Sequence, residues 1–398
     1  MKFSSAPYCS NFLLVVLPLL VVLPLHGQSG KEAAEAGEYD RAARLYHSEA
    51  KDSLKADKPL AAASLMIEEG WCWYWIDSLD LAQKAYTEAD IIAHQYQTPR
   101  ADTIRALAYH KMGVLYYYID DYELASKYYE NALSIRKESY DFGNIARINT
   151  LYNLALCKDL LEKSSEALLL YQLSISENLS NDKPDKWYLG ESYMRMGILL
   201  GKLKNIQNGT AATEAGLAVH RTELTNDPYL AAITYNAGTF YLNTNDWQRG
   251  EELAKEAYEL SKKFEETEIE ASSANLLGTF YYNQKKFYLA NKYYGLAYEV
   301  YVEQHADETT LGINRNNFAL SEKMLGNFES ALLAASDAEK YLSKSNDSVI
   351  WAESLLLSAN IVSELNRPAE AESAYTEARC LVFPELPTDR LPLIQEIP

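Results

Sequence analysis

The sequence predicts an all-α fold in which antiparallel helix hairpins stack on one another. Three observations carry that reading. Small residues recur in pairs twelve apart, at Gly70/Ala82, Gly113/Ala125, Ala155/Ala167, Gly197/Gly209, Gly238/Gly250, Gly278/Ala290, Ala319/Ala331 and Ala359/Ala371. Four residues past each second member stand Tyr86, Tyr129, Tyr171, Thr213, Ala254, Tyr294, Ala335 and Tyr375. Three further on, every residue is small: Ala89, Ala132, Ser174, Gly216, Ala257, Ala297, Ala338 and Ala378. Helices joined by a short turn approach closely only where side chains are small. Each pair is therefore expected to face across its turn and set the crossing, with the aromatic ring filling the wider gap beside it. One hairpin cannot bury its own apolar faces, so units kept in this register must stack.

In chain order, residues 1–27 read as a targeting segment. Lys2 precedes the uncharged run Phe12 to Leu25, which Pro18 and Pro24 interrupt. That run falls short of the roughly 20 residues needed to span a bilayer, so it is expected to be a cleaved signal peptide. The mature chain would start near Gln28 and be exported, periplasmic or secreted. Residues 28–62 contain Gly37, Tyr39, Ala42, Tyr46 and Ala50, the turn and second helix of a unit. They are expected to form a half-repeat that caps the array. Residues 63–383 hold eight full units. Their turns end on an aromatic residue or Pro that begins the second helix, as in Ile119-Asp120-Asp121-Tyr122 and Asn366-Arg367-Pro368. The unit built on Gly197 and Gly209 departs furthest from the others and is expected to be the softest, because glycine inside a helix costs about 1 kcal/mol relative to alanine. Pro384, Pro387, Pro392 and Pro398 end the helical pattern. The tail 384–398 either folds back over the last hairpin or leads into something longer.

This pattern resembles the tetratricopeptide repeat (TPR), whose hallmark is a small pair twelve apart followed by an aromatic residue and another alanine. Successive units start about 40 to 43 residues apart, against a usual period of about 34. That longer unit is similar to kinesin light chain repeats and to the arrays of bacterial CHAT-domain proteins. The resemblance implies a right-handed α-solenoid whose first helices line a concave groove that takes a peptide or protein. It implies no chemistry. An alternative of another class makes the chain the sensory or regulatory region of a larger enzyme, a CHAT-type protease or a membrane histidine kinase.

The residues agree that catalysis is not to be expected. No Gly-rich phosphate loop, no paired histidines at metal spacing, no Cys-x-x-Cys and no Gly-x-Ser-x-Gly occurs. No cofactor, metal or enzyme activity is predicted. A formal charge of −19 with no basic block excludes a nucleic-acid partner, which needs clustered Lys and Arg. Glu68-Glu69 and Glu265-Glu266 are read as solvated carboxylates, and Cys72, Cys157 and Cys380 as small buried residues.

Two groups are candidates for binding. The first is an aromatic strip, Trp71, Tyr74 and Trp75 with Tyr117 and Tyr118 of the next unit; Trp73 is expected to point into its hairpin. Alternatively, the half-repeat covers part of the strip. The second is a row of polar residues at matching places, Asn153, Arg195, Asn236 and Asn317, with Asn275 and Asn316 one residue earlier in their units. The row fails at Leu276 and Leu357. In kinesin-light-chain-like arrays asparagines at this place hydrogen-bond an extended peptide backbone, so the resemblance implies that role here. Alternatively, these side chains bridge neighbouring helices.

Overall fold

The computed structural model describes residues 29–382 except 140–142, 224 and 346. The segment expected to be a targeting signal and the proline-rich tail therefore lie outside the described residues. Among the described residues there are eighteen α-helices and no strand. The chain divides into two compact units, Met1–Val219 and His220–Pro398.

In unit 1, α1 (Gly30–Glu35) pairs with α2 (Tyr39–Lys55), α3 (Pro59–Trp75) with α4 (Leu79–Ala93), and α5 (Pro99–Tyr118) with α6 (Tyr122–Ser139). Next come α7 (Ile145–Leu160) with α8 (Ser164–Leu179), then α9 (Lys186–Lys202) with α10 (Ile206–Glu223), which runs across the boundary. Unit 2 pairs α11 (Tyr229–Asn243) with α12 (Trp247–Phe264) and α13 (Thr267–Asn283) with α14 (Phe287–Glu303). It ends with α15 (Glu308–Met324) on α16 (Phe328–Leu342) and α17 (Ser348–Glu364) on α18 (Pro368–Val382). All eight small pairs fall as the sequence predicts, the first member in a first helix and the second in its partner.

The crossing works differently from the expectation. A Cβ at Gly113 would lie 2.7 Å from the ring of Tyr129, and at Gly70 and Gly278 it would lie 2.5 and 2.6 Å from those of Tyr86 and Tyr294. The first small residue of these pairs makes room for the tyrosine ring rather than for its small partner. Tyr86, Tyr129 and Tyr171 are consequently among the largest fully buried side chains. The segment expected as a half-repeat has a first helix of its own, the six-residue α1. Gly30, Ala42 and Tyr46 repeat the same spacing, and a Cβ at Gly30 would meet the Tyr46 ring at 2.7 Å. The next helix, α3, starts at Pro59, four residues before the expected Ala63.

Each turn is closed by one left-handed residue. Asp77, Asp120, Glu162, Lys204, Asn245, Lys285 and Asn366 all have φ near +60°. At Asp120 the pattern is plain: its N–H donates to Tyr117 O at 3.2 Å, and Asp121 N donates to Tyr116 O at 3.0 Å. These bonds satisfy carbonyls that the helix end leaves open. The aromatic residue starting the second helix then packs back on the first, Tyr122 on Tyr117 and Phe287 on Tyr282, each with ring centroids 5.5 Å apart.

Buried polar groups tie helices together within and between the hairpins of unit 1. The fully buried Glu177 carboxylate accepts from Arg147 Nη2 at 2.7 Å and from the Gly143 amide at 3.2 Å. His110 on α5 is buried with its Nδ1 3.3 Å from Thr150 Oγ1 and 3.5 Å from Arg136 Nη1. Burial, reinforced by the Arg136 charge, holds the His110 pKa well below its ordinary value. Below pH ~6.5 the unfolded chain therefore takes up this proton while the folded one does not. Stability is expected to fall as pH drops, by up to about 1.4 kcal/mol per unit from this group. Urea unfolding at pH about 7 and about 5 checks this. The loss between the two should be smaller in His110→Gln, and an identical loss would contradict it.

Two further corrections concern single residues. Glu69 is not solvated: it is buried and accepts from Trp73 Nε1 at 3.3 Å, with His47 Nδ1 at 3.1 Å. Cys72 and Cys157 are buried as expected, and burial raises their thiol pKa values to about 11 and about 12. Cys380 is exposed. It sits about 200° round α18 from the buried Ala378, so the residue that anchors the helix turns this one outward.

Candidate functional site

In unit 1 the helices gather an aromatic patch. Trp71 and Tyr74 lie one turn-face apart on α3 and stack at 5.0 Å, with planes 7° from parallel. Trp75 meets both edge-on, at 5.5 and 6.0 Å. Tyr118 at the end of α5 meets Tyr74 edge-on at 5.5 Å. Trp75 is 36% and Tyr118 49% exposed, so the patch reaches solvent.

Tyr117 does not belong to it. It is buried against Tyr122 and in the core cluster of Ala125, Tyr129 and Leu151. One residue along a helix is a rotation of about 100°, enough to send neighbouring tyrosines to opposite sides. Trp73 turns inward as expected, between the clusters around Met66 and Tyr46.

Sequence reasoning missed two members of the patch. Tyr39, the first residue of α2, stacks on Trp75 at 5.9 Å, so the N-terminal hairpin covers part of the patch and leaves part open. Lys111 holds its ammonium 3.1 Å above the Trp71 ring, a cation–π contact. Its signal was available, because Lys111 stands two residues before Gly113, as Asn153 stands two before Ala155.

The polar row divides by what each side chain bonds. In unit 1, Asn153 donates to Asn149 Oδ1 at 2.6 Å, one turn back on the same face of α7. Arg195 Nε lies 3.6 Å from Glu191 Oε2, and this buried carboxylate also accepts from Tyr152 OH at 2.9 Å. In unit 2, Asn275 accepts from Asn314 Nδ2 at 3.0 Å and Asn316 from Ser354 Oγ at 2.9 Å. Both amides bridge from one hairpin to the next. Asn236 and Asn317 are half-buried, and their amides have no hydrogen-bond partner among the described residues. Leu276 and Leu357, which interrupt the row, are buried.

Unit 1 thus offers exposed rings and a cation over Trp71, and unit 2 offers the unpaired Asn236 and Asn317 amides. Among the described residues no helix is long and apolar enough to cross a membrane.

Residues 104–176 match the tetratricopeptide repeat family model. No curated protein sequence matches the chain. Similar solved structures include the apo form of the quorum sensor NprR from B. thuringiensis, with a TM-score of 0.63 and 12% identity over 88% of this chain and 96% of that one. The apo form of RapI has a TM-score of 0.60 and 14% identity over 79% and 96%. A Rap protein complexed with Competence and Sporulation Factor has 0.52 and 15% over 88% and 95%. At these identities the likeness concerns the fold. Residues 104–176 thus resemble tetratricopeptide repeats in sequence, and the described residues have a tetratricopeptide-type helical-repeat fold.

Proposed function

We propose that the protein is an exported repeat scaffold that binds a peptide or protein partner along its first helices and has no catalytic activity of its own. The observation that carries this is the aromatic patch of Trp71, Tyr74, Trp75 and Tyr118, gathered from two hairpins and open to solvent. Clustered aromatic side chains of this kind commonly supply most of the energy of an interface. The unpaired Asn236 and Asn317 amides add groups that each offer a donor and an acceptor. Proteins of this fold include a quorum sensor and a Rap protein complexed with Competence and Sporulation Factor, which agrees with a ligand-taking role. Export rests on the targeting segment at residues 1–27.

Affinity capture from the native cell envelope tests the reading. Trp75→Ala, and separately Asn153→Ala with Asn236→Ala, should reduce the captured partner while helicity stays unchanged. Full capture by both variants would place the binding surface elsewhere.

A further inference from the structure

We propose that the first-helix face of unit 2 is built to receive an uncharged, extended stretch of peptide. This deepens the peptide-binding reading above and rests on it.

The argument starts from where charge is missing. From Tyr229 to Asn243, α11 contains no Asp, Glu, Lys, Arg or His, and α13 contains none after Glu270. Between them in sequence, α12 carries eight charged residues. In the first hairpin of unit 2 the charge is thus sorted onto the second helix, in a chain whose formal charge is −19, whereas α15 carries Glu308, Arg315, Glu322 and Lys323. On the outward side of the first helices stand Asn236, Thr239 and Asn243 of α11 and Thr279 and Asn283 of α13, all half-buried or exposed. They recur in register. Thr239 and Thr279 each follow the small residue, and Asn243 and Asn283 each stand four places beyond, within the matching runs Gly238-Thr239-Phe240-Tyr241 and Gly278-Thr279-Phe280-Tyr281.

A polar but uncharged wall discriminates by desolvation. A charged side chain pressed against it loses hydration and meets no counter-charge, whereas a peptide group exchanges water for side-chain amides of the same chemistry. The Asn236 and Asn317 amides are free to make that exchange. Charges beside this face lie at the margins or are committed. Glu268 and Glu270 stand in the opening turns of α13, Lys323 at the end of α15, and Arg315 is held by Asp337 at 3.1 Å. The buried Glu322 accepts from Asn291, Lys255 is paired with Glu251, and Lys286 lies beside the Tyr281 ring, as Lys255 does. Acidic segments are further disfavoured by the net charge of the chain.

Selection of short random linear peptides displayed on phage against the immobilised full chain tests this. Enriched peptides should lack Asp, Glu, Lys and Arg across the contact stretch. Scanning a lysine or a glutamate through them should weaken binding to the unaltered protein by about ten-fold or more at contact positions. The variant Asn236→Asp with Asn317→Asp, its helicity checked by circular dichroism, should lose the same peptides. Enriched peptides whose binding requires a charged residue would overturn the inference while leaving peptide binding intact. Neutral peptides that survive the double variant but are lost with Trp75→Ala belong to unit 1 and would overturn the assignment to unit 2. Failure to enrich any peptide would overturn both this inference and the reading beneath it.

Discussion

Glu177→Leu is expected to destabilise unit 1 by about 3–5 kcal/mol, the usual cost of breaking a buried ion pair from one side. Its carboxylate is fully buried and bonded to Arg147 at 2.7 Å and to the Gly143 amide. Gly143 has φ +88, and a Cβ there would lie 2.7 Å from Ser180 Oγ and 3.0 Å from Glu177 O. The loop before α7 is therefore fixed to the end of α8 both by the ion pair and by a glycine that nothing larger can replace. Removing the carboxylate takes the buried counter-charge from the guanidinium and the acceptor from the Gly143 amide. Replacing both partners, with Arg147→Met and Glu177→Leu, should recover the part of the loss that comes from the buried charge, because an apolar pair carries no desolvation penalty, while the Gly143 amide still lacks its acceptor. Urea unfolding of the two single variants and the double variant measures the coupling. Additive losses would mean that the pair contributes nothing as a pair.

Gly197→Ala should be destabilising despite the better helix propensity of alanine. Propensity alone favours the change by about 1 kcal/mol. The added Cβ, however, would lie 2.3 Å from Thr213 Oγ1, 2.7 Å from Thr213 N and 2.9 Å from Gly209 O. Two of those atoms are backbone and cannot swing aside, so α9 and α10 must separate. Overpacking of this kind costs about 1–3 kcal/mol, enough to reverse the sign. The unit that reads as soft from its glycines is thus a place where two helix backbones approach closely. Gly295→Ala is the control. Nothing lies within 4 Å of its Cβ position, so that variant should be neutral or stabilised by up to about 1 kcal/mol. Equal melting temperatures for Gly197→Ala and the parent would contradict the close crossing.

The repeat was legible because its marks are steric. A small residue every turn of the pattern records where one helix approaches another, and that requirement acts position by position along the chain. What was not legible depends on residues far apart in sequence. Glu69 reads as a solvated carboxylate until His47 of the preceding hairpin is placed beside it. Asn275 and Asn316 read like Asn236 and Asn317, yet the first two are used by Asn314 and Ser354 of neighbouring helices. Tyr117 and Tyr118 cannot be separated by type, and only helix phase decides which is buried. The first hairpin reads as a half because its first helix is only six residues long and follows closely on the apolar run that ends at Leu25, although Gly30, Ala42 and Tyr46 keep the spacing of the repeat.

Hydroxyl-radical footprinting of the protein with and without a captured or selected peptide tests the central claim most directly, because it reports which side chains the partner covers. Trp75 and Tyr118 lie at the ends of first helices, while Tyr288, 77% exposed, lies on the second helix α14. For a partner lost on Trp75→Ala, binding along the first helices predicts slower oxidation of Trp75 and Tyr118 with Tyr288 unchanged. Protection of Tyr288 with Trp75 and Tyr118 still oxidised at their free rates would contradict it.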